Sequence, residues 1–129
     1  MGFDWSEYYK LSEALYKDPN IFGYEEATFR TIASRAYYAA FKCAINLAQK
    51  EGYMPSFNGS DHEDIRRYYR NDKNNQIRTK ISADLDRLCK NRTKADYYDH
   101  FRSSPRSLAN YSIGLAKKIL ENLSKLMKS

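Results

Sequence analysis

The sequence predicts an all-α protein, and three observations predict it. Apolar residues recur at intervals of three and four through most of the 129-residue chain. The strongest breakers fall between those runs, as Pro19 in DPN, Gly52 after a long apolar stretch, and Pro105 in SSPR. No segment reads convincingly as a strand. With no repeat, low-complexity segment or linker to divide it, the expectation is a single helical domain over residues 1–129.

Five helices are expected in order. The first covers roughly Asp4 to Lys17, with Trp5, Tyr8, Leu11 and Leu15 on one face, and Pro19 stops it because proline cannot continue the backbone bonding. The second covers about Tyr24 to Glu51 and ends at Gly52, a natural left-handed cap. After the loop GYMPSFNGS, Ser60 or Asp61 can cap a short third helix from His62 to Arg70. The fourth runs from about Asn74 to Tyr97 on Ile77, Ile81, Leu85 and Leu88. The fifth starts at Ser103-Ser104-Pro105, where serine caps and proline fills the first turn, and carries Leu108, Tyr111, Leu115, Ile119, Leu123 and Leu126 as a stripe.

Composition narrows the function classes. The net charge is +6, and it is unevenly placed. Between His62 and Lys94 ten bases face five acids, so a quarter of the chain holds a net +5. Such clustering suits a polyanion, with RNA or DNA the usual one, and it also suits a solvated face that keeps a small protein soluble. Tyrosine is abundant, 12 against a single tryptophan, and serves cores, interfaces and base stacking alike. Cys43 and Cys89 sit singly in helical patterns, which argues against a disulfide framework or zinc site and for a reducing cytoplasm. The opening MGFDWSEYYK is aromatic and charged, unlike a secretory leader, and no apolar run approaches a membrane span.

The second helix is apolar around most of its circumference and should be central. One narrow polar stripe remains, made of Thr31, Arg35, Tyr38, Lys42, Asn46 and Gln49. Arg35 is either an exposed or capping cation or one that faces a cleft. In the fourth helix the stripe Ile77, Ile81, Leu85, Leu88 continues into Arg92 and then Ala95, so a guanidinium stands where a core residue is due. An unpaired buried charge is costly, so Arg92 must pair with Asp96 one turn on, lie at a cleft, or meet a partner.

The segment TIASRAYYAAFKCA, followed by a helix carrying Arg92, Ala95, Asp96 and Tyr97 as R-x-x-A-D-Y, resembles the HEPN superfamily (higher-eukaryote and prokaryote nucleotide-binding domain). The likeness spans about Phe22 to Leu126 and is closest to a small prokaryotic branch. It implies a four- to five-helix up-and-down bundle that forms a homodimer. It also implies RNA as ligand, with metal-independent endoribonuclease activity in toxin-antitoxin or antiviral defence systems in many members. In others it implies a non-catalytic module that binds RNA or a nucleotidyltransferase-like partner.

The nuclease members carry arginine and histidine with four to six residues between them, histidine as a base near neutral pKa and arginine on the phosphate. Here four residues separate Arg92 from Tyr97, and seven separate it from His100. The catalytic expectation therefore falls on Arg92 for the phosphate, His100 or Tyr97 for proton transfer, and Asp96 to orient them. The RNA-contact expectation falls on Arg35, Lys42, Arg66, Arg67, Arg70 and Lys94. His62, beside Asp61, Glu63 and Asp64, reads as part of a helix cap. No metal or cofactor is expected: Gly52, Gly59 and Gly114 are isolated, and no serine or cysteine nucleophile signature is present.

Overall fold

The structure is a computed structural model that describes residues 2–128; Met1 and Ser129, the two ends of the expected domain, lie outside the described residues. It is an all-helical bundle of α1 (Ser6–Lys17), α2 (Glu25–Lys50), α3 (Asp61–Arg70), α4 (Gln76–Tyr97) and α5 (Pro105–Lys128). No helix among the described residues is long and apolar enough to cross a membrane.

The helix ends follow the local chemistry. Gly52 takes φ +105°, its N–H donates to the Gln49 carbonyl and that of Tyr53 to the Ala48 carbonyl, closing α2 as a Schellman motif. The Asn75 side chain accepts from the Arg78 amide and caps α4. At α5, Ser104 Oγ accepts from the Ser107 amide and Pro105 fills the first position. The third helix departs from expectation. Ser60 donates instead to Asp64 and Asn58, and neither Ser60 nor Asp61 caps α3. The buried Asp61 carboxylate points back into the preceding loop and accepts from the Ser56 and Phe57 amides at 2.9 Å each.

Helix α2 is the centre of the bundle and touches α1, α3, α4 and α5. Ala33, Ala36, Ala39, Ala40, Ala44 and Ala48 have no exposed surface, so neighbouring helices approach its backbone closely. Around it gather Ile65 and Tyr69 of α3, Ile81, Leu85 and Leu88 of α4, and Leu115, Ile119 and Leu123 of α5.

Two expected core positions lie outside. Leu11 is 45% exposed and Tyr111 54%, while the adjacent Ser12 and Ser112 are fully buried. Ser12 donates to the carbonyls of Tyr8 and, across the interface, Ile32. Ser112 accepts from the Asn91 amide of α4. A small hydroxyl with its bond satisfied allows tighter helix approach than a leucine or tyrosine, and that sets the rotation of both helices.

Leu85→Ala is expected to cost about 2–5 kcal/mol, as for other fully buried leucines. Tyr111→Ala should stay within about 0.5 kcal/mol. Urea unfolding of both variants checks the rotation of α5 as well as the core.

Candidate nucleic-acid interface

The polar stripe of α2 and the anomalous arginine of α4 meet. Arg92 has only 13% of its side chain exposed, and its guanidinium lies 5.5 Å from the ring centres of both Tyr37 and Tyr38 and 6.0 Å from that of Tyr97. Asp96 is its ion-pair partner at 3.6 Å. A helical pair of this spacing contributes about 0.2–0.5 kcal/mol. Each desolvated ring contact is worth roughly 0.5–2 kcal/mol. The tyrosines, more than Asp96, therefore hold the charge in place. Its Nε is buried and has no hydrogen-bond partner among the described residues. Asp96 is also tied sideways, accepting from Ser34 at 3.4 Å, and Ser34 accepts from Arg35 at 3.2 Å.

The histidine nearest this arginine in electrostatic terms is His62. Its expected place in a solvated cap is corrected: it is half-buried, stacked on Phe41 at 4.3 Å with the rings 8° from parallel. Nδ1 lies 2.5 Å from the Tyr37 hydroxyl. Burial lowers the His62 pKa, Arg92 and Arg66 lower it further, Asp61 opposes them, and Lys42 adds to the lowering. Burial likewise raises the Tyr37 phenol far above its ordinary range, so it keeps its proton at neutral pH. The phenol and Nδ1 share one hydrogen bond whose direction follows the imidazole tautomer, and Nε2 is left for a second partner. The sequence did carry a signal for this placement, because His62 precedes the buried Ile65 and Tyr69 by three and seven residues on one helical face.

Two cavities flank the cluster. One, of about 360 Å³, is walled by Trp5, Tyr38, Phe41, Lys42 and His62 together with the loop before α3. The other, of about 380 Å³, is lined by Arg66, Cys89, Lys90, Lys94 and Tyr98 among others. No protein-family model, curated protein or solved structure matches the chain.

The remaining expected residues divide. Lys42 stands 5.2 Å from the Trp5 ring and 5.9 Å from Phe41, and Arg35 stands 5.1 Å from Tyr8 and 5.0 Å from Tyr38, which places both on the aromatic face. Arg66 reaches Asp86 at 3.6 Å beside the second cavity, where Lys94 also lies. Arg67 pairs with Glu63 and Asp64 on the outer side of α3, and exposed Arg70 has no ion pair among the described residues. Tyr97 is under Arg92 as described.

His100 is not brought to Arg92. It is exposed in the α4–α5 turn, with no hydrogen bond or ring contact among the described residues. Arg30 of α2 fixes that turn. Its Nη1 donates to the carbonyls of Ala95 at 3.0 Å and Tyr98 at 2.6 Å, its Nη2 donates to Asp99 at 3.2 Å, and its charge lies over Phe101. Arg30 was not among the expected site residues, and no sequence period announces a contact that spans 65 positions or more. Among the described residues no three His, Cys, Asp or Glu side chains gather where a metal could bind.

The lowered His62 pKa has a definite sign for stability. The unfolded chain takes up a proton near the ordinary value of 6.5, and the folded chain only at lower pH. Folding is therefore favoured above that value and loses stability as pH falls through it. Urea midpoints should decline from about pH 6.5 downward. His62→Gln should flatten that part of the profile.

Proposed function

We propose that this chain is a HEPN-type RNA-binding module that carries the strand's phosphates on the face formed by α2, α3 and α4. The observation that supports it is the convergence of Arg92, Arg66 and Lys42 on one half-buried histidine, within a wall of tyrosines. Cations beside the half-buried Tyr38 and the exposed Tyr97 rings suit a single strand, whose backbone needs charge and whose bases need stacking surfaces.

Binding without cleavage is the reading the geometry favours. Metal-independent cleavage by a 2′-hydroxyl needs a base beside the phosphate-binding cation. His100 stands in the turn held by Arg30, and the Nδ1 of His62 is taken by Tyr37. On this reading the chain acts in the cytoplasm as a homodimer, alone or with a nucleotidyltransferase-like protein.

The test is fluorescence anisotropy with single-stranded RNA over a range of potassium chloride. Affinity should fall linearly on a log–log plot. Arg66→Gln and Lys42→Gln should each weaken binding and reduce the slope by about 0.7, the value for one phosphate contact on a single strand. Affinity that ignores salt, or no binding at low salt, overturns the proposal. RNA cleavage in chelator that disappears in both Arg92→Ala and His100→Ala restores the nuclease reading.

A further inference from the structure

The loop between α2 and α3 holds an exposed phenylalanine in a conformation that needs explanation. Phe57 has φ +60° and 86% of its surface exposed. A left-handed backbone is unfavourable for a bulky residue, and an exposed ring gains nothing from burial. The loop is nevertheless fixed. Asp61, itself buried, accepts from the Phe57 and Ser56 amides and from the Ser56 hydroxyl at 3.0 Å. One carboxylate thus holds the strained turn and presents the ring at the rim of the 360 Å³ cavity.

The rest of that cavity suits a flat heterocycle beside a phosphate. Its walls include the rings of Phe41 and Trp5, with the Lys42 ammonium close to both. The exposed amides of Asn46 and Gln49 line it and supply donors and acceptors for a ring edge. Nε2 is the ring nitrogen of His62 that Tyr37 leaves free, a further polar atom at the wall. The volume lies at the lower end of the range for small-ligand sites, roughly 300–1,000 Å³, which fits one small planar group better than a peptide segment. We propose that this cavity receives one unpaired nucleobase, stacked against Phe57, with its phosphate beside Lys42.

The inference rests on the RNA-binding reading and gives it a strand preference, because a paired base cannot leave its stack without cost. A base in the strand and a free mononucleotide share the recognising chemistry, so the experiment uses both. Trp5 is the only tryptophan of the chain and lines the cavity, which makes its emission a local reporter. Adenosine monophosphate, a short single-stranded adenine oligonucleotide and a duplex of matching length are titrated against the wild type and Phe57→Gly. Glycine is at ease at this φ, so the variant keeps or raises the melting temperature while losing the ring.

The expected result is quenching of Trp5 by the mononucleotide and the single strand but not by the duplex. Single-strand affinity should fall roughly five- to hundredfold in Phe57→Gly, the range for loss of one base–aromatic stack. If the single strand binds without quenching and Phe57→Gly binds it equally well, the base pocket is wrong and the phosphate-carrying face stands. If the mononucleotide alone binds, the pocket stands and the RNA reading fails. If neither binds, both fail.

Discussion

Helix α2 gives up nearly all solvent contact along its alanine-lined sides, and the rest of the molecule is arranged by that constraint. Six alanines without exposed surface bring α1, α4 and α5 close to its backbone, too close for large side chains everywhere along the seams. Hence the fully buried serines, Ser12 on α1, which donates to the Ile32 carbonyl of α2, and Ser112 on α5, which accepts from Asn91 of α4. What α2 cannot bury among apolar neighbours is its one polar stripe. That stripe opens toward α3 and the end of α4, where Tyr38 and Lys42 line a cavity and Arg92 rests on tyrosine rings. The site is the part of the central helix that the core leaves over.

The chemistry of that site follows from partial burial. Arg92 is too enclosed to behave as a surface cation and too well surrounded by ring faces to be an isolated buried charge. Burial lowers the pKa of His62, the fields of Arg92 and Arg66 lower it further, and Tyr37 orients the imidazole. Cationic groups, an imidazole and aromatic surfaces then stand together, the elements that the proposed contact with phosphate and flat rings requires.

Much of this was legible in the sequence, and the gaps have physical causes. Helix ends were readable at Pro19, Gly52 and Pro105 because proline and glycine act through their own backbone. Arg92 was readable because it interrupts an apolar stripe. Helix rotation at Leu11 and Tyr111 is not legible from hydropathy, which ranks serine as polar while packing rewards its small size. The acidic neighbours of His62 point toward solvent in the sequence, although Asp61 turns inward to the loop. The placement of His100 depends on a distant arginine that no local pattern contains.

That arginine ties the connection between α4 and α5 to the order in which the chain can acquire its shape. Three carbonyls at the end of α4 close onto a side chain 65 to 69 residues earlier. Closing a loop over so long a separation costs entropy, which the packing of α2 against α4 must offset. Until α2 has docked against α4, the last turn of α4 lacks its acceptor-satisfying partner and frays as an ordinary helix end. The turn bearing His100 is thus a report on long-range assembly, written at a position that looks purely local.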